Sequence, residues 1–323
     1  MQTSTKKKLI DFLRVSSEFK LGQLDTERSH LKTKKLSLLA QENVCKAIDI
    51  ISDIDLEAIG ILENQLDSIR EMRKEIEETV KSGARVFICG CGATGRLALT
   101  IEKLWLDECK AKKNNLGGRV VSFMAGGDVA LIRSIENFED FPDYGARQLI
   151  ELGFAENDLL ISCTEGGETP FVIGATEKAM SISKRNPFFL YCNKNEVLAR
   201  VAARSRKLIK SSKVKKIKLI TGPMALSGST RLQATTVQML FVGFALLGNN
   251  EIKNDLNFLF HFLKKKPFLF LKKFIEKEAN YLKENRFLLY STDENLGITV
   301  LTDTTERAPT FNLNPFENFK DKN

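Results

Sequence analysis

Three loops of the sequence combine glycine with hydroxyl side chains, and a helical pattern follows each of them. They are GCGATGR at residues 90–96, SCTEGGETP at 162–170 and TGPMALSGSTR at 221–231. Glycine lets backbone N–H groups approach a phosphate closely, and the start of a helix carries about half a positive charge. In the second loop, Thr169 and Pro170 have the form of an N-cap followed by a first helical residue. One such loop is more often ordinary capping, but three at one edge of a sheet predict a site for an anionic ligand.

The first loop also fits the glycine fingerprint of dinucleotide-binding proteins, through Gly90, Gly92 and Gly95. That fingerprint requires an acidic residue about 20 positions later, at the end of the second strand, to hold the ribose. The next predicted strand ends at Met124, and Asp128 follows too far along the chain. A dinucleotide would not need hydroxyl-rich second and third loops either, so we predict no cofactor.

Five short apolar runs alternate with helical segments from residue 83 onward. Apolar strands that alternate with helices are typical of a parallel sheet covered on both faces, and right-handed crossovers then produce a doubly wound α/β fold. Ligands bind such sheets where strands end and helices begin, which is where the three loops lie. The predicted strands are Arg85–Cys89, Arg119–Met124, Asp158–Cys163, Pro187–Cys192 and Lys216–Thr221.

The composition changes twice along the chain, which predicts three parts. Residues 1–80 are nearly free of glycine and space their apolar residues as helices do, so we expect a helical N-terminal arm that includes Leu21–Leu39. Residues 81–248 hold the five strands. Residues 249–323 begin with a helical stretch rich in phenylalanine and lysine.

The composition excludes several classes of protein. The 323 residues are 43% hydrophobic and 28% charged, as in ordinary globular domains. No apolar run approaches the roughly 18 residues of a membrane span, and the N-terminus lacks the features of a signal peptide, so we expect a cytoplasmic protein without membrane contact. We expect the six cysteines to be reduced, and Cys89, Cys163 and Cys192 to be core residues that end strands. The chain has two histidines, and the Cys89-Gly-Cys91 spacing is too tight for zinc, so no metal site is predicted.

The net charge of +8 is concentrated in part in a basic run at Arg204–Lys218. Such a run leaves open an interaction module for nucleic acid, which would bind with steep salt dependence. Aromatic side chains do not interleave the run, and a solvated helix face explains it as well. We therefore expect no nucleic-acid partner.

Together the motifs resemble the sugar-isomerase (SIS) domain superfamily, in the branch of the N-acetylmuramic acid 6-phosphate etherases and the glucokinase regulatory protein. The resemblance covers about residues 20–247 and implies a flavodoxin-like SIS fold with a five-stranded parallel sheet. The segments that carry it are LDTERSHLKTKKLSLL at 24–39, GCGATGRL at 90–97, AGGDVALIRSIENFED at 125–140, ETPFVIGA at 168–175 and GPMALSGSTRLQATTVQ at 222–238.

The resemblance implies that the ligand is a phosphorylated hexose whose phosphate is held by loop hydroxyls. An acid/base glutamate of the etherases falls on Glu136, where a carboxylate could orient a sugar hydroxyl or act as a base. A solvated acidic helix end is the alternative interpretation of that segment. The ligand-binding residues implied by position are Gly92, Thr94, Gly95, Thr164, Ser229, Thr230 and Arg231.

The sequence departs from the family pattern at positions that matter for catalysis. Counted from Gly95, the second catalytic glutamate of the etherases falls on Leu104. Glu102 is two residues earlier, about 200° away around a helix, and should not substitute for it. Losing a positioned acid typically costs roughly 10²- to 10⁴-fold in rate. The other departures are Ala93 for a threonine, Gly166 for a serine and Glu168 for an arginine.

The C-terminal residues Leu296–Phe311 resemble the opening of a second SIS repeat, with Glu306 at the position of the missing glutamate. We therefore interpret residues 249–323 as a helical linker and the start of an incomplete second repeat. The resemblance implies that a homodimer or a missing second SIS domain completes the site, and that a sugar kinase is a regulated partner.

Two functions remain. The first is non-catalytic binding of a phosphorylated hexose or amino sugar in a regulatory role. The alternative is an enzyme, either a lyase that releases lactate from N-acetylmuramic acid 6-phosphate or an aldose–ketose isomerase, with Glu136 as the base.

Overall fold

A computed structural model describes residues 2–16, 20–132, 135, 138–226, 232–249, 251–286, 288, 290 and 297. Over these residues the chain places a parallel sheet between two layers of helices. The helices are α1 (Gln2–Val15), α2 (Leu36–Glu42), α3 (Val44–Gly60), α4 (Leu66–Lys81), α5 (Gly92–Ala111), α6 (Val129–Ile132), α7 (Pro142–Glu151), α8 (Pro170–Ile182), α9 (Asn195–Val201), α10 (Ala203–Lys210), α11 (Gln233–Leu247), α12 (Ile252–Lys264) and α13 (Lys272–Lys283). The strands are β1 (Val86–Gly90), β2 (Val120–Met124), β3 (Leu159–Cys163), β4 (Phe188–Tyr191) and β5 (Lys215–Lys218).

The five strands are all parallel and lie in the order β2-β1-β3-β4-β5. This confirms the predicted α/β class and flavodoxin-like sheet. The strand boundaries differ most at β5, which ends at Lys218 rather than Thr221. From β1 the chain builds β2 on one side and β3 on the other, so the crevice between the carboxyl ends of β1 and β3 is the topological switch point of the sheet.

Strand side chains alternate between the two helical layers, because successive residues of a strand point to opposite faces. Val86 and Ile88 of β1 belong to the core under α4, α5 and α11, whereas Phe87 and Cys89 belong to the core under α7 and α8. Burial on both faces explains why β1, β3 and β4 are nearly continuous apolar runs. The cysteines at the strand ends are buried free thiols, as predicted: Cys89, Cys163 and Cys192.

The N-terminal arm is α-helical in α1 to α4 but not over residues 21–33, so the helical prediction is wrong there. That stretch forms two single turns of 3-10 helix. Its backbone forms hydrogen bonds with the loop after β5. The N–H of His30 donates to the carbonyl of Met224, and the N–H of Met224 donates to the carbonyl of Arg28, both at 2.8 Å. Leu24 is fully buried in the core under α8. The arm is therefore fixed across the sheet domain rather than forming an independent helix.

The C-terminal extension is helical in α12 and α13, as predicted, and both helices contact α3. The resemblance of Leu296–Phe311 to a second repeat falls outside the described residues, apart from Gly297. In the described part of the chain, no helix combines the length and the apolar character needed to cross a bilayer.

Candidate functional site

The loops after β1 and β3 lie side by side at the carboxyl edge of the sheet. The two strands are neighbours, with Cys89 opposite Ser162, so loop 90–96 adjoins loop 162–170. The loop after β5 begins at the same edge because all five strands are parallel. The common edge on which the anion-site prediction depends is therefore present.

The first loop is built around close backbone contacts that exclude side chains. Gly92, the first residue of α5, has a φ of +53°. A Cβ on Gly90 would lie 2.3 Å from the carbonyl carbon of Thr94, and one on Gly95 would lie 2.6 Å from the Cβ of Met124 in β2. The glycines thus let the start of α5 pack directly against the strands.

The hydroxyl of Thr94 closes the turn at the start of α5. It donates to the carbonyl of Cys91 at 2.9 Å and accepts from the N–H of Cys91 at 3.1 Å, and the side chain is fully buried. A hydroxyl has one proton to donate, so it has none left for a phosphate while the turn is intact. The N–H groups of Gly92 and Ala93 have no hydrogen-bond partner among the described residues, so they are the donors offered here. The ligand-binding role implied for Thr94 stays a prediction.

Thr164 holds the second loop in shape, and its role as a ligand contact also stays a prediction. Its Oγ1 accepts from the N–H of Gly167 at 3.2 Å and lies 3.1 Å from Oγ1 of Thr169. Pro170 is the first residue of α8, as predicted, and Thr169 is at the N-cap position but makes no side-chain cap. The expected cap is absent because the Thr169 hydroxyl is bound to Thr164 instead.

Gln233 joins the two ends of the third loop. Its Nε2 donates to the carbonyl of Pro223 and its Oε1 accepts from the N–H of Ala225, both at 2.9 Å. The remaining predicted site residues lie outside the described part of the chain, and their roles stay predictions: Glu136, Ser229, Thr230 and Arg231.

Asn193, which the sequence analysis did not single out, connects the arm to the second loop. Its Oδ1 accepts from the N–H of Asp25 at 2.9 Å. Its Nδ2 donates to Oγ1 of Thr26 and to the carbonyl of Gly166, both at 2.9 Å. The only signal in the sequence is a polar residue shortly after a buried strand, a place where a buried amide needs partners.

Carboxylates from three separate segments gather at the same edge: Glu27 from the arm, Glu139 from the loop before α7 and Glu168 from the second loop. Oε2 of Glu139 accepts from the thiol of Cys91 at 2.6 Å. The carbonyl of Glu139 accepts from the N–H of Phe171 at 2.9 Å, which ties this residue to the start of α8. We call Glu27, Glu139 and Glu168 the acidic cluster.

Glu168 has an unusual environment for a carboxylate. Its Oε2 is buried and has no hydrogen-bond partner in the described structure. Burial raises the pKa of Glu168 from 4.5 to about 7; the positive charge of Arg204 opposes this rise, whereas the charges of Glu27 and Glu139 add to it. Burial also raises the pKa of Glu27. Near neutral pH, Glu168 therefore exchanges between its protonated and ionised forms.

Glu102 does not belong to the acidic cluster. Its carboxylate accepts from the N–H of Ser122 in β2 at 3.2 Å and from the hydroxyl of the same residue. These bonds hold it against the edge strand, and the expectation that it does not replace an acid at Leu104 stays a prediction.

A cavity of about 450 Å³ lies beside the turn that follows β2. Aromatic faces combined with a few polar groups are typical of sites for small molecules. Nε of Arg147 pairs with Oε1 of Glu151 at 2.7 Å in its wall. The lining residues are Gly126, Gly127, Phe138, Tyr144, Arg147, Gln148 and Glu151.

Among the described residues, no three histidine, cysteine, aspartate or glutamate side chains are placed together so that they could hold a metal ion.

Comparisons with known proteins point to one family. Residues 68–180 match the model of the glucokinase regulatory protein N-terminal SIS domain. The N-acetylmuramic acid 6-phosphate etherase of Lactococcus lactis is 30% identical over 240 residues, which are 73% of this chain and 74% of that protein. The enzyme of the same name from Klebsiella aerogenes is 29% identical over 71% of this chain and 70% of that protein. Among solved structures, a phosphoheptose isomerase from Francisella tularensis is 19% identical, covers 56% of this chain and 83% of that chain, and has a TM-score of 0.41.

Proposed function

Because this chain belongs to the SIS-domain family of the N-acetylmuramic acid 6-phosphate etherases and the glucokinase regulatory protein, we propose that it binds a phosphorylated hexose or amino sugar. The observation that carries the proposal is the common edge of the three glycine- and hydroxyl-rich loops. There, the N–H groups of Gly92 and Ala93 at the start of α5 are donors suited to a phosphate. Ser229, Thr230 and Arg231 of the third loop would complete the phosphate site.

The proposed role is regulatory binding rather than turnover. Leu104 stands where the etherase pattern places an acid, and Glu102 is engaged by Ser122. Without a positioned acid, protonation of a leaving oxygen would be slowed by roughly 10²- to 10⁴-fold. A bound sugar would then act as a signal, read by a partner such as a sugar kinase in the cytoplasm.

Exposed aromatic residues on the C-terminal helices support a partner surface. Phe258 of α12 and Phe274 of α13 expose 75% and 53% of their surface. Phe270 and Phe274 lie together, with ring centroids 6.3 Å apart, and exposed apolar side chains are typical of contact surfaces. We propose that a second copy of the chain or a second SIS domain covers them.

Thermal unfolding with a panel of sugar phosphates tests the binding function. A ligand that binds the folded state raises the melting temperature by mass action, and we expect a rise of a few degrees with at least one hexose 6-phosphate or hexosamine 6-phosphate. Thr230→Val should weaken binding by about 10- to 100-fold through loss of a hydrogen bond to a charged group. Thr230→Ser, which keeps the hydroxyl, is the matched control. If no sugar phosphate raises the melting temperature at saturating concentration, the proposal is wrong.

The identity of 30% with named etherases favours one second candidate, a lyase that acts on N-acetylmuramic acid 6-phosphate. In that case Glu136 would be the base, and an aldose–ketose isomerase would use the same residue. Lactate release that is lost in Glu136→Gln and kept in Glu156→Gln, a change at the opposite edge of the sheet, would support the lyase. Release no faster than the uncatalysed reaction would leave binding alone.

A further inference from the structure

A second cavity is lined by the N-terminal arm and the C-terminal extension, and it shares no residue with the three glycine- and hydroxyl-rich loops. Its volume is about 360 Å³, which is within the usual size range of sites for small molecules. Its walls come from α2, α3 and α13, together with Phe268 and Leu271 just before α13. The two parts of the chain that enclose it are therefore far apart in sequence.

The cavity is apolar except near the end of its α3 wall. Six residues of α3 line it, and their three- and four-residue spacing places them on one face of the helix. The first four are apolar, and Ser52 and Asp55 follow. The hydroxyl of Ser52 donates to the carbonyl of Ile48 at 3.0 Å, within the helix. Among these described lining residues, Asp55 therefore carries the one polar side chain that is not already bonded inside the wall.

Asp55 has no partner in the described part of the chain. Its carboxylate makes no hydrogen bond or ion pair there, and burial raises its pKa from 3.8 to about 6 without an opposing charge. Lys266, in the turn before the C-terminal wall, pairs with Asp49 at 2.8 Å instead. Asp55 is only half-buried and Ile275 of α13 is 39% exposed, so a molecule from solvent can reach the cavity. At neutral pH the cavity thus contains an ionised carboxylate that no cation compensates.

The combination of apolar walls and one carboxylate selects among possible ligands. A metal ion needs several ligating side chains close together, and the described residues hold no such group. A wholly apolar molecule would fill the cavity but would desolvate the carboxylate further, which is unfavourable. A hydroxyl would accept this role for one hydrogen bond without compensating the charge. An ammonium group donates charge-assisted hydrogen bonds and also brings the opposite charge.

We propose that this cavity binds a small apolar amine, whose ammonium group pairs with the carboxylate of Asp55 and whose hydrocarbon part packs against Ile51, Phe268 and Ile275. The amine site is separate from the proposed sugar-phosphate site and does not depend on it. Because α13 contacts α3 around the cavity, a bound amine stabilises the attachment of the C-terminal extension to the arm by mass action.

Isothermal titration of the full chain at neutral pH with three probes tests the proposal. The probes are 2-phenylethylamine, 2-phenylethanol and 3-phenylpropanoate, which share a ring and a short chain and differ in the charge of the terminal group. We expect the amine to bind at least about 10-fold more tightly than the alcohol, as for one hydrogen bond to a charged group, and the acid to bind most weakly. Equal affinity for the amine and the alcohol, tighter binding of the acid, or no binding of the amine overturns the proposal. None of these outcomes bears on sugar-phosphate binding.

Substitution of Asp55 assigns the preference to its carboxylate. Asp55→Asn keeps the shape of the side chain and removes its charge, so the affinities for the amine and the alcohol should come within about threefold of each other. Asp53→Asn is the matched control, because Asp53 is exposed on the same helix and does not line the cavity, and it should keep the full preference. A preference that survives Asp55→Asn contradicts the proposal.

Filling the cavity tests where the amine binds. Ala40 of α2 lines the cavity, so Ala40→Leu should weaken amine binding by at least about 10-fold, whereas Gln41→Leu, on the exposed side of the same helix, should leave it unchanged. Equal effects of the two substitutions would place the amine elsewhere. Titration at two protein concentrations identifies a competing occupant: an amine affinity that falls as the protein concentration rises would show that a second copy fills the cavity, and would also contradict the proposal.

Discussion

The hydroxyl of Thr94 and the carboxylate of Glu168 represent two ways in which a polar side chain is used at this edge of the sheet. Thr94 satisfies both its bonds within the turn, through the carbonyl and the N–H of Cys91. Oε2 of Glu168 satisfies none. Structural duties thus occupy Thr94, whereas Oε2 of Glu168 is buried without a partner in the described structure.

Replacing Thr94 should therefore be measurable in stability before any ligand is added. We expect Thr94→Val to lower the free energy of unfolding by about 0.5–2 kcal/mol, because it removes the capping hydroxyl from the start of α5. Urea unfolding of the unliganded chain measures this. Thr94→Ser keeps the hydroxyl and should lose much less. A valine variant as stable as the unmodified chain would show that the hydroxyl is free for a ligand.

Residue types predicted the loops but not the partners of their side chains. Glycine and threonine at a helix start suit both a phosphate and a capping turn, since both need backbone approach and a hydroxyl. The partner of Thr94 is three residues away, so capping was a local possibility. The contact of Asn193 with Asp25 spans 168 residues, and no local pattern indicates it.

The crossing of α7 and α8 shows how helix packing positions a site residue. A Cβ on Gly174 of α8 would lie 1.9 Å from the carbonyl oxygen of Pro142 in α7, and one on Gly145 would lie 1.9 Å from the carbonyl oxygen of Phe171. The two helices therefore touch backbone to backbone. Because the N–H of Phe171 binds the carbonyl of Glu139, this close crossing also sets where Glu139 lies.

Gly174→Ala should separate the two helices and displace Glu139. We expect a loss of at least about 2 kcal/mol in the free energy of unfolding, because the added methyl group meets backbone that cannot rotate away. Gly243→Ala in α11 is the control, since nothing lies within 4 Å of the added Cβ. That variant should gain about 0.5–1 kcal/mol from helix propensity. Chemical denaturation measures the free energy of unfolding of both variants. Equal changes in the two would contradict the close crossing of α7 and α8.

Elements were predictable where burial alone determines them. The strands β1, β3 and β4 are buried along their whole length, so an apolar run identified each one, whereas β5 has lysine at three of its four positions and its bounds were predicted less well. The helical prediction fails over residues 21–33 because hydrogen bonds between this backbone and the distant Met224 replace those of a helix. Tertiary contacts of this kind override local preference, which is weak for each residue.

At the scale of the whole molecule, two half-buried acids link stability to pH. Burial raises the pKa of Glu168 from 4.5 to about 7 and that of Asp55 from 3.8 to about 6. In the unfolded chain both groups ionise at their ordinary values. Between about pH 4 and 7 the folded state thus holds more protons than the unfolded state, so stability falls as pH rises.

We expect the melting temperature to fall from pH 5 to pH 8 and to change little above that range. Glu168→Gln and Asp55→Asn should each reduce the loss in free energy of unfolding between pH 5 and pH 8 by about 1–3 kcal/mol. Differential scanning calorimetry of the unliganded variants at pH 5, 6, 7 and 8 measures the effect. Glu156→Gln should leave the slope unchanged, and a slope that survives both substitutions would exclude these two acids as its source.

The hydrogen bonds from Asn193 and Met224 to the N-terminal arm have a consequence for folding during synthesis. Residues 24–30 leave the ribosome long before their partners have been translated, since the bond between Asp25 and Asn193 closes a loop of 168 residues. Until then Leu24, fully buried in the finished fold, faces water. Loops of this length close late, so we expect the carboxyl edge of the sheet to be among the last parts of the chain to fold. A nascent chain halted before residue 193 would carry the first loop of the site without the arm that braces it.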